Sequence, residues 1–450
     1  MTDRLNGPER IEYRLVMIEA NSMRILAAAS AAGRSLPRES IPAHMRVAGA
    51  LNEAMEQRYG VCTLQLAILP GAEEPSSCAV HQIIGFQKAI LGSLSFVALD
   101  EIASSELTEA ERSLVLRIMK GETNELGRFA RLGWIDELIA KTCMHRGRSS
   151  MPVICQLNQG IDFCLLNLKE ADGRNLWFKA VGKTNTREYA LTQELMRRFP
   201  EHLPKLLAWI PEWNGWIADG VAGAPLNHSS DKAAWEQALA ALAFMQRNSI
   251  GNTPCLYRAG AQEWTCARLR SLSKPFFEEA ERAMRAQIST KAKPIDCKDL
   301  RRLQASIEAA LISISHSGIP ETLVHGDIGH GNIVNSPDGP VFLDWAETYI
   351  GPPFLSSEHL LADLERFQPE LACERSYLRR CYARHWRDYT SPASLAEVTA
   401  CAPAVAAFSY ALIVWEAHVR RPDPTCVWPL LRSLLRRTQR ELESTSEVAA

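Results

Sequence analysis

The chain has 450 residues, 46% of them hydrophobic and 23% charged, which is the composition of a globular protein with two or three domains. The formal net charge of −2 gives no sign of the excess positive charge that is typical of nucleic-acid-binding proteins. The start of the chain is charged and the apolar run at residues 402–415 is too short to span a bilayer, so we expect a cytoplasmic protein with no membrane partner. The twelve cysteines form no C-x-x-C pair, which fits a reducing compartment and neither a zinc site nor a disulfide framework.

Residues 1–105 are predicted to form a separate α/β domain. Strands are expected at residues 13–20, 23–27, 62–69 and 95–99, with a helix at 44–59 that ends at Gly60. This order of elements resembles that of a Nudix domain, in which paired metal-binding glutamates stand just before such a glycine. Gln57 and Arg58 stand at those positions here, so the resemblance implies a domain that is inactive as a hydrolase and serves for recognition or dimerisation.

Residues 106–150 are predicted to be a helical connector. Thr108 and Glu111 have the spacing of a capping box and therefore predict the start of a helix. A second helix is expected at residues 128–144. The segment 145–152, which is rich in Arg and Ser, is the best candidate for a linker to the next domain.

From residue 151 onwards the pattern changes to that of a small sheet followed by a large helical region. Strands are expected at residues 153–157, 163–168, 175–180, 206–210 and 215–218, with one helix at 186–198. After residue 225 the chain is predicted to be helical, except for a strand-rich interruption at 322–343. This order predicts an α+β, two-lobed protein kinase-like fold, with an N-lobe at residues 151–225 and a C-lobe at 226–450.

The strand-rich interruption contains a cluster of polar residues. Asp327 and Asn332 lie five residues apart in the segment HGDIGHGN, ahead of an apolar pair. A turn at residues 338–340 reverses the chain, which returns as Val-Phe-Leu and ends on Asp344. We therefore expect a hairpin that brings Asp344 close to Asn332, with Asp327 nearby.

Phosphoryl transfer requires this combination of side chains. One carboxylate orients the acceptor hydroxyl and takes its proton, and hard oxygen ligands hold Mg²⁺ against the phosphates. Asp327 is accordingly assigned as the base, and Asn332 and Asp344 as the metal ligands. The alternative is that Asp and Asn only form a tight turn. The hairpin that ends in Asp344 is a second requirement, and it favours the functional interpretation.

The segments HGDIGHGNI and VFLDWAE resemble the catalytic and metal-binding loops of the aminoglycoside phosphotransferase and choline kinase-like family. The resemblance covers residues 150–440 and implies a kinase-like fold, ATP or GTP as donor with Mg²⁺, and a small-molecule hydroxyl acceptor. It makes Asp327 the catalytic aspartate and gives His325 a scaffolding role in the catalytic loop. Gly329 and His330 depart from the family's usual His-Pro, and the poorly matched acceptor-binding helices leave the substrate open.

A kinase-like fold also requires a lysine for the phosphates of the nucleotide and a helix glutamate that holds this lysine. Lys179 lies in the third strand of the predicted N-lobe, and Glu188 follows at the start of a helix. Glu194, on the same helix, is the rival for the glutamate's role. With Asn185 as N-cap, Glu188 also stands at a capping-box position, which is the structural alternative.

Two backbone segments are further assigned to the nucleotide. The first hairpin of the N-lobe, with Asn158 and Gly160, is expected to form the loop over the phosphates. The hinge between the lobes is expected near Ala218 and Gly220, and its backbone would contact the adenine. Both assignments follow from the kinase-like resemblance and not from a motif of their own.

Acidic residues are the only hints about the acceptor. The run at Glu278, Glu279 and Glu281 is more typical of a solvated helix face, whereas Glu347 and Glu358 follow the metal-binding loop more closely.

The expected activity is transfer of the terminal phosphate of ATP or GTP to an unidentified hydroxyl, by a protein that can form a homodimer. The alternative is a pseudokinase that binds nucleotide and acts through the N-terminal domain. A hydrolase located in residues 1–105 is the least supported class.

Overall fold

The computed structural model describes residues 10–31, 33–69, 76–86, 92, 94–122, 125–146, 152–183 and 185–449. The chain folds into two compact units. Unit 1 contains residues 1–189 and 205–220, and unit 2 contains residues 190–204 and 221–450. Unit 1 thus includes the predicted N-terminal domain, the connector and most of the predicted N-lobe, whereas unit 2 includes the predicted C-lobe.

Unit 1 begins with a seven-stranded sheet and one helix. Its elements are β1 (Arg10–Glu19), β2 (Arg24–Ser30), β3 (Gly33–Ser35), β4 (Arg38–Pro42), α1 (Val47–Tyr59), β5 (Val61–Leu69), β6 (Ser76–Phe86) and β7 (Leu94–Val97). The strand order is β3-β2-β1-β6-β5, with β4 paired to β1 and β7 paired to β2. The first two predicted strands are present as β1 and β2 and pair antiparallel, and α1 ends at Gly60, as predicted, with this glycine in a left-handed conformation.

Strand β6 lies inside this sheet, between β1 and β5, although it is absent from the sequence prediction. It runs parallel to β1 and antiparallel to β5. Its residues His81 and Gln82 are buried, and polar side chains at this point break the apolar pattern by which strands are recognised. The Nudix-like character of the domain stays a prediction.

The connector is attached to this sheet by charged side chains. α2 (Glu109–Met119) begins with the predicted capping box, in which the Glu111 N–H donates to Thr108 Oγ1 at 3.2 Å. Arg14 of β1 forms a 2.7 Å ion pair with the same buried glutamate. α3 (Trp134–Arg146) begins later than predicted, because the chain turns at Gly133 with a φ of 77°. The predicted linker at 145–152 lies mostly outside the described residues.

The second sheet of unit 1 is small and antiparallel. Its strands are β8 (Val153–Gly160), β9 (Phe163–Lys169), β10 (Asn175–Ala180), β11 (Leu206–Ile210) and β12 (Gly215–Asp219), in the order β11-β12-β10-β9-β8. The helix α4 (Arg187–Arg198) begins in unit 1 and continues in unit 2. A small antiparallel sheet with one helix is the arrangement predicted for the kinase N-lobe.

One hydrophobic core joins the two sheets of unit 1. Buried side chains of β1 and β5 belong to the same cluster as those of β9, β10 and β12, and α2 and α3 of the connector contribute to it. Within it, the rings of Phe129, Trp134, Phe178 and Trp213 have centroids 4.8 to 6.5 Å apart. The segments predicted as N-terminal domain, connector and N-lobe sheet therefore share one core.

Unit 2 is mostly helical, as predicted for the C-lobe. After α4 it contains β13 (Ala224–Pro225), α5 (Lys232–Ser249), α6 (Thr253–Arg258), β14 (Gln262–Glu263), α7 (Cys266–Arg285), α8 (Cys297–His316), β15 (Thr322–Val324), β16 (Ile333–Ser336), β17 (Gly339–Phe342), β18 (Tyr349–Gly351), α9 (Phe354–Phe367), α10 (Arg375–Ala383), α11 (Pro392–His418) and α12 (Trp428–Ala449). Two three-stranded sheets interrupt the helices, in the orders β13-β16-β17 and β14-β18-β15. Strands β15 to β17 fall in the strand-rich interruption that the sequence predicts.

Helix α11 contains the apolar run at residues 402–415. Among the described residues it is the one helix long and apolar enough to cross a membrane, with a mean hydropathy of 1.8 in its most apolar window. In that window 67% of the residues are buried, and Val405, Phe408 and Leu412 belong to the core of unit 2. The core helix of a folded protein has the same length and composition, so α11 is weak evidence for a membrane span.

Candidate active site

The catalytic loop follows β15 and begins with a fully buried histidine. The backbone N–H of His325 donates to Ser356 Oγ at 3.1 Å, and its Nε2 lies 2.9 Å from the carbonyl oxygen of Leu343. A carbonyl oxygen only accepts, so Nε2 must carry the proton. The ring also lies 4.3 Å from that of Trp345, measured between centroids. His325 therefore ties the catalytic loop to the residues on either side of Asp344, which fits the scaffolding role.

The residue after this histidine must be glycine. Gly326 has a φ of 83°, and a Cβ atom at this position would collide with the carbonyl oxygen of Glu347. Only glycine combines this left-handed backbone with so close an approach. Gly326 is followed directly by Asp327, whose side chain is exposed.

Asn332 lies against Asp327, as the sequence predicts. Its Nδ2 donates to the backbone oxygen of Asp327 at 2.8 Å and lies 3.4 Å from the Oδ2 of the same residue. Because the amide nitrogen is used as the donor, the amide oxygen is turned away from Asp327. The role of this oxygen as a metal ligand stays a prediction.

The β16–β17 hairpin brings Asp344 next to the segment that contains Asn332. Ile333 pairs with Phe342 in the hairpin, and the next N–H along, that of Leu343, donates to the carbonyl oxygen of Asn332 at 2.8 Å. Asp344 follows with φ 60° and ψ 68°, a left-handed conformation. Such a backbone costs about 1–3 kcal/mol for a residue other than glycine and is concentrated at functional sites. The conformation supports a functional role for this aspartate.

The oxygen donors of Asn332 and Asp344 fit Mg²⁺, which prefers carboxylate and amide oxygens together with phosphate oxygens. The described residues include no group of three or more His, Cys, Asp or Glu side chains that could hold a metal ion. Two protein ligands are too few to enclose Mg²⁺ without help. We therefore expect metal binding to depend on the phosphates of a bound nucleotide.

Lys179 and Glu188 form an ion pair in unit 1. The Lys179 Nζ lies 2.5 Å from Glu188 Oε1, and the two side chains are 14% and 2% exposed. The ammonium group also lies 6.0 Å from the centroid of the Trp216 ring. Glu194 instead forms hydrogen bonds to its helix neighbours Arg197 and Arg198. The geometry thus favours Glu188 over its rival as the partner of the lysine.

The first hairpin of the second sheet differs from the prediction in its turn. Asn158 and Gly160 lie in β8, and the turn is formed by Ile161 and Asp162. Asp162 has a φ of 57° and accepts hydrogen bonds from the backbone N–H of Arg128 at 2.8 Å and from its Nε at 3.1 Å. The tip of the hairpin is therefore held by the connector. The role of Asn158 and Gly160 over the phosphates stays a prediction.

The strand that leads to this turn is bonded to the N-terminal sheet. The Gln156 side chain accepts from the Gln65 N–H at 2.7 Å and donates to the Gln65 carbonyl oxygen at 3.0 Å. Its oxygen also accepts from Asn52 Nδ2 at 3.0 Å, and Gln159 donates to the carbonyl oxygen of Leu66 at 3.2 Å. These hydrogen bonds couple β8 to α1 and β5, which no sequence motif indicates.

The predicted hinge lies where the chain passes from unit 1 to unit 2. Ala218 is buried in β12, between Trp177 and Leu206 of the neighbouring strands. The Gly220 N–H donates to the carbonyl oxygen of Asn175 at 2.7 Å. Because this N–H already has a partner, an adenine at the hinge would have to form its hydrogen bonds with another backbone group. Contact between the hinge and the base stays a prediction.

The acidic residues considered for the acceptor have other partners. Glu358 is 1% exposed and accepts two hydrogen bonds from Arg379, at 2.6 and 2.8 Å, so the expectation that it faces the acceptor is not supported. In the run on α7, Glu279 accepts from Trp428 Nε1 at 2.7 Å, and Glu281 pairs with Arg285. The preferred interpretation of that run, a solvated helix face, fits the pairing of Glu281 within α7 but is wrong for Glu279, which is buried against α12.

Two residues beside the catalytic loop are not identified from the sequence. A Cβ atom on Gly329 would lie 3.7 Å from Asp363 Oδ2 of α9. Burial and the nearby carboxylates of Asp327 and Asp363 raise the pKa of the Tyr410 phenol on α11. Neither residue belongs to a motif, because each reaches the loop from a separate helix. Only the fold brings them together.

The catalytic loop and the hairpin lie within a segment that matches a family model. Residues 194–355 match the phosphotransferase enzyme family. This phosphotransferase segment contains Asp327, Asn332 and Asp344 but begins after Lys179 and Glu188. The match confirms the predicted family resemblance, the kinase-like fold and the enzyme class, a phosphotransferase.

No curated protein matches the chain. Similar solved structures include a choline/ethanolamine kinase family protein from Mesorhizobium loti, with 13% identity over 69% of this chain and 95% of that chain and a TM-score of 0.44. Choline kinase LicA from Streptococcus pneumoniae has 14% identity over 69% and 100%, with a TM-score of 0.42. Macrolide 2'-phosphotransferase MphH from Brachybacterium faecium has 16% identity over 65% and 97%, with a TM-score of 0.41. At these values no property of those proteins is transferred to this chain.

Proposed function

We propose that this phosphotransferase transfers the terminal phosphate of ATP or GTP to a hydroxyl group of a small molecule. The observation that carries the proposal is the hydrogen bond from Asn332 to Asp327, next to the hairpin that ends in Asp344. A base and two oxygen ligands for a metal are the groups that this reaction needs from the protein.

Asp327 acts as the base in this proposal. Its exposed carboxylate accepts a hydrogen bond from the acceptor hydroxyl and orients the oxygen towards the terminal phosphorus. As the new O–P bond forms, the bond from phosphorus to the bridging oxygen of the donor breaks. The hydroxyl proton moves to Asp327, and the nucleoside diphosphate leaves with the bridging oxygen.

Asn332 and Asp344 would hold Mg²⁺ through the amide oxygen and the carboxylate. When bound, this ion neutralises charge on the phosphates and on the leaving group. The hydrogen bond from Asn332 Nδ2 keeps the amide oxygen in place, and His325 does the same for the backbone before Asp344.

Lys179 would contact the phosphates of the nucleotide, with Glu188 as its positioning residue. The pair lies almost fully out of solvent, and burying two charges is seldom favourable for stability alone. The presence of this buried pair therefore supports a functional role for the ammonium group.

The test is Mg²⁺-dependent turnover of ATP and GTP with a panel of hydroxylated acceptors. We expect Asp327→Asn to slow transfer by about 10²–10⁴-fold, since a positioned base contributes about this much. The Asp327→Asn protein should still bind nucleotide. Asp338→Asn, in the exposed turn of the same hairpin, is the matched control and should transfer at the wild-type rate. Equal turnover by Asp327→Asn would refute the assignment of the base, and a wild type that binds nucleotide without any transfer would favour the pseudokinase.

A further inference from the structure

Two adjoining cavities in unit 2 have several arginines in their linings. The larger has a volume of about 1030 Å³, and its lining includes Arg380, Arg384 and Arg387 from α10 and the turn that follows it. The smaller, of about 330 Å³, is lined by Arg366, Arg437 and Arg440 of α9 and α12. Glu441 lines both cavities and is the one carboxylate that does so among the described residues.

Several of these arginines lack a compensating charge. Arg380, Arg384 and Arg387 form no ion pair with any residue in the described part of the chain, and all three are exposed in the larger cavity. Clustered like charges repel one another, so an arrangement of this kind is stabilised by an anion.

Buried contacts hold other arginines of the larger cavity in fixed positions. Arg379 donates two hydrogen bonds to Glu358, which is 1% exposed. Arg375 lies 3.0 Å from Glu441 and 3.8 Å from Glu358. A binding site for an anion benefits from such preorganised guanidinium groups, because less side-chain freedom is lost on binding.

The smaller cavity begins one helical turn from the catalytic loop. Asp363 of α9 lies beside Gly329 of this loop, and Arg366 follows three residues later on the same helix. Three residues of α-helix span about 4.5 Å along the axis, and residues at this spacing share a face. His359, one turn before Asp363, has its ring 5.8 Å from that of Tyr410, so α9 and α11 are in contact here.

We infer that these cavities bind the acceptor, and that the acceptor carries a phosphate or carboxylate group in addition to the hydroxyl presented to Asp327. The inference rests on the proposed function. The carboxylates of Asp327 and Asp363 repel the anionic end of such a molecule, whereas the arginines attract it. The opposite charges at the two ends of the site would orient the acceptor with its hydroxyl at the base.

The first experiment measures anion binding without nucleotide. Inorganic pyrophosphate and citrate are titrated into the protein by calorimetry, and the pair distinguishes a phosphate site from a carboxylate site. We expect binding of one of them at a single site, weakened at least tenfold in Arg366→Gln/Arg384→Gln. Arg270→Gln/Arg301→Gln removes the same charge from exposed positions on α7 and α8 and should bind as the wild type does. Absence of binding, or equal weakening in both variants, would overturn the inference.

The second experiment measures transfer to glycerol, glycerol 3-phosphate, glycerate and choline. We expect an anionic acceptor to be preferred, with a KM that rises at least tenfold in Arg366→Gln/Arg384→Gln and a kcat that changes little, since binding alone is reduced. Transfer only to glycerol or choline would contradict the inference and leave the proposed function intact. Anion binding with no transfer to any acceptor would contradict the proposed function and the assignment of the cavities to the acceptor.

Discussion

The two hairpins assigned to the nucleotide are held in place in different ways. The β16–β17 hairpin of unit 2 pairs with β13, and its Pro340 carbonyl oxygen lies 3.0 Å from His202 Nδ1. The end of the hairpin that carries Asp344 is held locally, because His325 bonds to the carbonyl oxygen of Leu343 and the Leu343 N–H bonds to the carbonyl oxygen of Asn332. These residues lie within twenty positions of one another. The geometry around Asp344 is therefore encoded in one short segment of the sequence.

The β8–β9 hairpin of unit 1 is instead held by residues from distant parts of the chain. Gln156 bonds to Gln65, which lies 91 residues earlier, and Asp162 bonds to Arg128, which lies 34 residues earlier. The kinase-like sheet thus depends on a domain that a kinase fold does not require. These contacts hold the β8–β9 hairpin against the N-terminal domain and the connector.

The largest effect is expected at Asp344, at the end of the β16–β17 hairpin. Asp344→Asn should reduce Mg²⁺-dependent transfer by at least about a hundredfold, because the metal contributes several kcal/mol of transition-state stabilisation. Asparagine tolerates the left-handed backbone that this position requires, so stability should stay close to that of the wild type. Initial rates over a range of Mg²⁺ concentrations, together with thermal unfolding, check both parts. A wild-type rate at low Mg²⁺ would remove Asp344 from the metal site.

An intermediate effect is expected at the buried ion pair of unit 1. Glu188→Gln leaves Lys179 without its charged partner, and loss of one member of a buried pair costs about 3–5 kcal/mol. Glu194→Gln on the same helix removes a partly exposed charge and should cost no more than about 1 kcal/mol. Urea unfolding measures the two losses, and kcat/KM for the nucleotide should fall only in Glu188→Gln. Similar values for the two variants would contradict the assignment of Glu188.

The smallest effect is expected at the contacts between β8 and the N-terminal domain, which hold the β8–β9 hairpin. Gln156→Leu removes three hydrogen bonds between β8 and the N-terminal domain and leaves buried backbone groups of Gln65 unpaired, which costs about 1–3 kcal/mol. We expect the KM for the nucleotide to rise several-fold with little change in kcat. Gln57→Leu on the exposed surface of α1 is the matched control. A Gln156→Leu protein that is less stable but has an unchanged KM would show that the N-terminal domain does not position the hairpin.

The same contrast explains what could be predicted from the sequence. The HGDIGHGN segment, the turn after it and Asp344 are contiguous, so motif and hairpin periodicity were enough to place the three polar residues together. Lys179 and Glu188 follow from strand and helix order, and the competition between Glu188 and Glu194 needed the ion pair to resolve it.

Other features depend on long-range packing and carry no local signal. Strand β6 has buried polar residues such as His81 and Gln82, so its pattern does not resemble that of a central strand. The turn at Ile161 and Asp162 is set by Arg128, far from it in the sequence. The arginine-lined cavities combine side chains from α9, α10 and α12, and each helix alone looks like an ordinary charged surface.

The central claim is tested most directly by following the terminal phosphorus of the donor by ³¹P NMR. With Mg²⁺ and glycerol, glycerol 3-phosphate, glycerate and choline supplied together, the wild-type protein should convert the terminal phosphate signal into that of a phosphate ester. Asp327→Asn should produce this ester at least about a hundredfold more slowly. Release of inorganic phosphate alone, or formation of the ester at the same rate in both proteins, would contradict the account.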